Sequence, residues 1–146
     1  MTLIFKKATS HKEIEAVYNY TIDAFSDSPD FKWTLKEIKQ EFAGGWSIYS
    51  VNTGSEIIAA LFLKLENGSL YSKNTAIKMH HQGSGFSHRI KEFFEEQALE
   101  LKAEKIVHYC RIDNFRMYSL NESHGYNKQQ NSGEEDEHIV AWVKKL

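Results

Sequence analysis

The chain has 146 residues, which is enough for one domain and too few for two catalytic modules. Apolar residues make up 41% of it and charged residues 26%, a composition typical of globular proteins rather than of disordered or fibrous ones. The formal net charge is −2, and only three of the 18 cationic residues are arginines. No basic surface for nucleic acid or for a membrane is expected from this balance.

Cysteine content and hydropathy indicate the cellular compartment in which the protein is expected. Cys110 is the single cysteine, so an internal disulfide is impossible, and the first residues lack the apolar core of a secretion signal. The longest apolar run, Ile57–Leu63, is far shorter than the ~20 residues that span a bilayer. These features predict a soluble protein in the reducing cytoplasm.

Two helices are predicted in the first third of the chain, after a short alternating strand at Leu3–Lys6. Capping boxes start both helices, at Ser10-His11-Lys12-Glu13 and at Thr34-Leu35-Lys36-Glu37. Apolar residues three and four positions apart define the buried faces, and the second helix ends at Gly44-Gly45. The predicted inward residues are Ile14, Val17, Tyr18, Ile22 and Phe25, then Leu35, Ile38 and Phe42.

From Trp46 the hydrophobic period changes to two, which predicts three antiparallel strands at Trp46–Asn52, Glu56–Leu65 and Leu70–Met79. An Asn67-Gly68 turn joins the last two. Because Ile57–Leu63 is apolar at every position, the second strand is expected inside the sheet with helices covering both faces.

The rest of the chain alternates helices and strands. A long helix is predicted from Phe86 to about Ala103, then a buried strand at Lys105–Ile112 and a short helix at Asn114–His124. The last two predicted elements are strands at Tyr126–Gln130 and His138–Val143. This order predicts a mixed α/β fold, and the length predicts a single domain over residues 1–146.

The stretch that says most about function is Gln82-Gly83-Ser84-Gly85, between a strand and the long helix. Glycines let the backbone approach a ligand closely, and a helix start presents free N–H groups, so this arrangement suits a phosphate. It is neither a P-loop nor a dinucleotide fingerprint, because the Gly-Lys-Ser/Thr ending and the third glycine are missing. A plain turn is the alternative interpretation.

These residues resemble the signature of the GNAT superfamily of acetyl-CoA-dependent N-acetyltransferases, Q/R-x-x-G-x-G/A after an apolar strand residue. Ile77 takes the strand position, Gln82 the first position and Gly85 the central glycine, while Ser87 stands where Gly or Ala is usual. A second element of the family, an asparagine-led helix followed by Gly-Phe or Gly-Tyr, matches at Asn114 and Gly125-Tyr126. The element order agrees over the whole chain.

The resemblance implies a GNAT-like fold: a twisted, mostly antiparallel sheet of about seven strands, with helices on both faces and a splay between residues 70–79 and 105–112. It implies acetyl-CoA as cosubstrate, with backbone groups of one strand on the pantetheine arm and amides of the glycine loop on the pyrophosphate. A structural N-cap is the other interpretation of Asn114. The implied coenzyme contacts are Ile77, Lys78, Met79, Gln82, Gly83, Ser84, Gly85, Phe86, Ser87 and Asn114.

The resemblance also implies direct attack of an amine on the thioester, with backbone N–H groups near Ile77–Met79 stabilising the oxyanion. The family commonly has a tyrosine at the position of Asn121, where it protonates the departing thiolate. Asparagine can donate a hydrogen bond there but no proton, which is expected to weaken catalysis without abolishing it. Tyr118, one turn earlier, is a candidate substitute, and packing is its alternative role.

No general base is assigned, although Glu66, Tyr71 and His108 lie on the central strands. The histidines His80, His81 and His88 have no carboxylate or thiolate at ligand spacing, so no metal site is expected.

Two acidic loops suggest the acceptor, since the resemblance places both at its entrance. Carboxylates beside aromatic rings favour a cationic amine, and simple solvation of the acidic loops is the alternative. The predicted function is therefore acetyl transfer to a primary amine of a small molecule or peptide. A GNAT-fold protein that senses acyl-CoA with little catalysis is the alternative, and homodimers are frequent in the family. The loop residues are Asp27, Asp30, Phe31 and Trp33, and Glu134, Glu135, Asp136 and Glu137.

Overall fold

The computed structural model describes residues 3–27, 34–54, 56–77, 85–111, 115–129 and 139–146. The predicted order of helices and strands is confirmed, and the ends agree to within about two residues, except that α3 ends at Glu100 rather than near Ala103. No helix in these ranges is long and apolar enough to cross a membrane. The elements are β1 (Ile4–Lys7), α1 (His11–Asp27), α2 (Leu35–Ala43), β2 (Ser47–Thr53), β3 (Glu56–Glu66), β4 (Ser69–Ile77), α3 (Phe86–Glu100), β5 (Lys105–Arg111), α4 (Phe115–Ser123), β6 (Asn127–Gln129) and β7 (Ile139–Lys145).

The strands form one seven-stranded sheet in the order β1-β2-β3-β4-β5-β7-β6. The β1–β2, β2–β3, β5–β7 and β6–β7 pairs are antiparallel, and β4 pairs with β5 in parallel. The predicted turn between β3 and β4 has positive φ at both Asn67 (52°) and Gly68 (79°), the backbone that a tight hairpin requires. The mostly antiparallel, mixed α/β architecture is therefore as predicted.

The chain divides into two compact units, Met1–Lys64 with Asn74–Ser84, and Leu65–Lys73 with Gly85–Leu146. In the first unit α1 and α2 pack on β2 and β3, with Ile14 and Ile38 meeting Ile48 and Phe62 in one apolar cluster. The residues of β3 that alternate with Ala60 and Phe62 are buried too, so both faces of this strand are covered, as its apolar run predicts. These alternate residues are Ala59, Leu61 and Leu63.

In the second unit α3 and α4 cover the same face of β5 and β7. His108 of β5 lies directly opposite Trp142 of β7 in the register, so both side chains leave the sheet on one face. Phe94 of α3 contacts the His108 ring, with centroids 6.4 Å apart, and Tyr118 of α4 meets Trp142 edge-on at 5.1 Å. The two helices thus enclose a buried layer above these strands.

The parallel pairing of β4 with β5 joins Ser69–Ser72 to Lys105–His108. The splay predicted between residues 70–79 and 105–112 stays a prediction.

Ser10 and Thr34 cap their helices as predicted, but neither carboxylate completes the capping box. The Thr34 hydroxyl accepts from the Glu37 N–H at 3.2 Å, and Ser10 accepts from the Glu13 N–H at the same distance. The carboxylates do not reach back to the cap N–H groups. Glu37 instead accepts from the Thr34 hydroxyl at 3.0 Å, and Glu13 from the hydroxyl of Thr9 at 2.6 Å.

Replacing Thr34 by alanine removes the side-chain cap of α2, so we expect the free energy of unfolding to fall by about 1 kcal/mol. Urea denaturation measures this, with Thr34→Ser as the matched control because serine keeps the accepting hydroxyl. Equal stability of the alanine and serine variants would contradict the capping role.

Candidate functional site

The start of α3 has the geometry expected of an anion site. Gly85 is the N-cap residue, its φ is 81°, and no side chain caps the helix there. A Cβ built on Gly85 would meet no heavy atom of the described residues within 4 Å. The first N–H groups of α3 and the positive end of its dipole can therefore face an incoming anion.

Only part of the predicted coenzyme loop lies within the described residues. Ile77 ends β4, Gly85 caps α3, and Phe86 and Ser87 form its first turn. Asp27 ends α1. The predictions for Lys78, Met79, Gln82, Gly83, Ser84 and Asn114, for His80 and His81, and for Asp30, Phe31, Trp33 and Glu134–Glu137 fall outside the described residues.

Asn121, at the position where the family commonly has tyrosine, is fully buried on α4. Its backbone carbonyl accepts from the N–H groups of Tyr126 (3.0 Å) and His124 (3.2 Å), which closes the helix end. Neither atom of its side-chain amide has a hydrogen-bond partner within the described residues. A buried amide of this kind is rarely left unsatisfied in proteins, so Asn121 requires a partner from elsewhere.

Tyr118 makes contacts that suit packing. Its ring meets Trp142 edge-on with centroids 5.1 Å apart, and the ammonium of Lys128 lies 4.9 Å from the ring centroid. An edge-on aromatic pair and a cation over a ring both stabilise a fixed ring position. Of the two roles considered for Tyr118, these contacts favour packing.

His108 is buried on β5, and its Nδ1 lies 3.0 Å from the Ser72 hydroxyl. Burial, with a smaller contribution from the positive charge of Lys91, lowers the pKa of His108 well below its usual value. The imidazole is therefore neutral at neutral pH, and burial disfavours its protonation. Of the other candidate bases, Glu66 is exposed at the end of β3, and Tyr71 stacks on Tyr109 at 6.2 Å.

A chain of hydrogen bonds that sequence reasoning missed links α3 to the end of α4. Nδ1 of His88 lies 2.9 Å from Nε2 of His124, and Nδ1 of His124 lies 3.3 Å from the Glu95 carboxylate. Lys144 of β7 donates to the same carboxylate oxygen at 3.0 Å. Because a carboxylate only accepts, His124 donates from Nδ1 to Glu95.

His88 is thus one member of a hydrogen-bonded chain, and the sequence offered only its seven-residue spacing from Glu95 on α3 as a signal. The partner histidine lies 36 residues away, a separation that no local pattern predicts. Across the part of the chain that the structure describes, no three His, Cys, Asp or Glu side chains are grouped as metal ligands.

The sequence matches no family model and no curated protein. The fold does match solved structures. An acetyltransferase from Thermus thermophilus gives a TM-score of 0.78 at 16% identity, covering 100% of this chain and 98% of that one. The ribosomal-protein-S18-alanine N-acetyltransferase from Escherichia coli gives 0.77 at 14% identity, covering 97% and 91%. A GNAT family acetyltransferase from Elizabethkingia anophelis with acetyl-CoA bound gives 0.75 at 16%, covering 99% and 98%.

These likenesses extend over nearly the whole of each chain, so the shared feature is the complete fold. At such low identity the fold is what the comparison establishes. The predicted GNAT-like fold is confirmed.

Protonation of His108 is expected to destabilise the protein in mild acid. The unfolded histidine takes up a proton near pH 6.5 while the folded one stays neutral, so the unfolded state binds more protons as the pH falls. The free energy of unfolding should then decrease by up to about 1.4 kcal/mol per pH unit below pH ~6.5.

Chemical denaturation between pH 7 and pH 5 measures this slope. His108→Gln should flatten it, whereas the control His11→Gln, at an exposed histidine, should leave it unchanged. An undiminished slope in His108→Gln would assign the effect to other groups.

Proposed function

We propose that this chain, which has the fold of GNAT N-acetyltransferases, transfers an acetyl group from acetyl-CoA to a primary amine. The observation that carries the proposal is the start of α3, where Gly85, with positive φ, begins a helix that has no side-chain cap. The same fold occurs in a neighbour with acetyl-CoA bound. A helix start of this kind suits a pyrophosphate because its N–H groups and dipole both favour negative charge. The single cysteine is in keeping with a reducing, cytoplasmic setting.

The proposed coenzyme contacts are mainly backbone amides. The chain has only three arginines, so it is poor in the side chains that usually bind phosphate in pairs of hydrogen bonds. Amides at Gly85, Phe86 and Ser87 would take that role, with Gln82, Gly83 and Ser84 preceding them. Backbone groups of Ile77, Lys78 and Met79, with Asn114, would hold the pantetheine arm.

When bound, acetyl-CoA supplies an activated acetyl thioester, which a neutral amine attacks directly. Backbone N–H groups near Ile77–Met79 would stabilise the negative charge on the carbonyl oxygen. Asn121 would donate a hydrogen bond to the departing sulfur but cannot protonate it. Because a thiol has a pKa near 8.5, it can leave as the thiolate, and the proton that the amine loses would pass to water, so the reaction would be slowed rather than abolished.

A second candidate function rests on the same asparagine. A protein that binds acyl-CoA to sense it needs no proton donor at the position of Asn121, and it needs no Gly or Ala at the position of Ser87. The ring contacts of Tyr118 suit a packing role, and its role as a substitute donor stays a prediction. This alternative differs from the enzyme in one measurable property, which is whether an amine stimulates thiol release.

The proposed acceptor is a cationic amine of a small molecule or peptide. Its recognition would come from the acidic and aromatic residues Asp27, Asp30, Phe31 and Trp33 and the acidic run Glu134–Glu137. Carboxylates attract such an amine over several ångströms, and this attraction is screened by salt.

Introducing a negative charge at Gly85 should weaken acetyl-CoA binding. Gly85→Asp and Gly85→Asn have nearly the same shape and both tolerate positive φ, so they differ in charge alone. We expect the aspartate to weaken binding by at least about tenfold relative to the asparagine, the size of a like-charge contact near the surface. Isothermal titration with acetyl-CoA measures it, and equal affinities would rule out a phosphate at this helix start.

Acetyl transfer is tested by the release of free thiol from acetyl-CoA across a panel of neutral, monocationic and polycationic amines. We expect cationic amines to stimulate release, and the stimulation to fall as salt is raised from low ionic strength. Tight acetyl-CoA binding without stimulated release would favour the sensing function. Equal, salt-independent turnover of neutral and cationic amines would contradict the proposed acceptor class.

A further inference from the structure

The face of β5 and β7 that α3 and α4 cover carries an unusual set of buried polar atoms. Nε2 of His108, both amide atoms of Asn121, the hydroxyl of Tyr126 and Nε1 of Trp142 make no hydrogen bond to any described residue. Each of these four residues is at most 3% exposed. We call His108, Asn121, Tyr126 and Trp142 the polar layer.

Contacts between neighbouring side chains connect the members of the polar layer. His108 and Trp142 lie opposite each other on adjacent strands. The ring of Phe94 lies 6.4 Å from His108, and the ammonium of Lys91 lies 5.9 Å from Phe94.

Lys91 also contacts the ring of Tyr126, another member of the polar layer. The Lys91 ammonium lies 4.7 Å from the ring centroid of Tyr126, whose N–H donates to the Asn121 carbonyl at 3.0 Å. Lys91, only 1% exposed, thus lies near the rings of both Phe94 and Tyr126 and brings a positive charge close to the polar layer.

Leaving these groups unsatisfied would cost a large share of the stability that a domain of this size has. Any molecule that satisfies these groups must match their roles as hydrogen-bond donors and acceptors. Trp142 can only donate, Oδ1 of Asn121 can only accept, and Tyr126 can do both. A small anion only accepts, so it could not satisfy Asn121, whereas water both donates and accepts.

We propose that the polar layer is an internal water-binding site, in which ordered water molecules bridge His108, Asn121, Tyr126 and Trp142. Buried waters of this kind typically make about three hydrogen bonds to groups that the protein leaves unsatisfied. Water dipoles would also stabilise the nearby Lys91 ammonium, in addition to its contacts with two rings. This water site does not rest on acetyl transfer, although it shares Asn121 with the proposed function.

The indole N–H of Trp142 reports on this site. In the isotope-labelled full chain, NMR should detect a nuclear Overhauser effect between this proton and water, with the sign of a long-lived, protein-bound molecule. Trp142→Phe identifies the signal by its loss. The effect should persist in Tyr126→Phe, and its disappearance there would mean that the exchanging tyrosine hydroxyl had produced it, which would overturn the proposal.

Asn121 supplies a matched pair of variants. Asn121→Ser keeps a donor and an acceptor and leaves room for water, so the water signal at Trp142 should remain. Asn121→Leu fills the space with apolar atoms and should abolish it. The same result in both folded variants would contradict the assignment.

Should Asn121→Leu fail to fold, the serine variant decides, because loss of the signal in folded Asn121→Ser would overturn the proposal. A crystal structure in which the four side chains hydrogen-bond directly to one another, without bridging water, would overturn it equally.

Discussion

The parallel pairing of β4 with β5 is the constraint on which the rest of this protein depends. Parallel neighbours cannot be joined by a tight turn, so the chain must cross over, and here α3 forms that connection. The crossover makes α3 begin after the end of β4, where an exposed glycine starts the helix. The anion site proposed at the helix start would therefore be a consequence of sheet topology, with no cationic side chain required.

The same crossover brings a cost in the second unit. Covering β5 and β7 with α3 and α4 buries a lysine, a histidine, an asparagine, a tyrosine and a tryptophan in one layer. Cation–π contacts to Phe94 and Tyr126 offset part of the cost of burying the Lys91 charge, and the Ser72 hydroxyl bonds one nitrogen of His108. A core of this composition is sensitive to pH because burial keeps the histidine neutral.

The chemistry proposed for the chain fits a site that relies on backbone groups more than on side chains. A tyrosine that would protonate a thiolate is replaced by a buried asparagine, and the neighbouring Tyr118 is engaged in packing. Rate would then come from orientation and from N–H groups rather than from acid catalysis. The hydrogen-bonded chain from His88 through His124 to Glu95 joins the first turn of α3 to the end of α4.

Local patterns in the sequence determined most of the architecture. Alternation, helical spacing, the two capping boxes and the Asn67-Gly68 turn depend on neighbouring residues, and each element that they predicted is present. The glycine motif before α3 was visible for the same reason. Tertiary structure alone decided which side chains share an environment: that the Asn121 amide is enclosed with no hydrogen-bond partner among the described residues, that Tyr118 packs on Trp142, and that His88 bonds a histidine 36 residues away. Such contacts join residues distant in the chain, and their energies depend on burial and geometry, which no sequence pattern within a single element records.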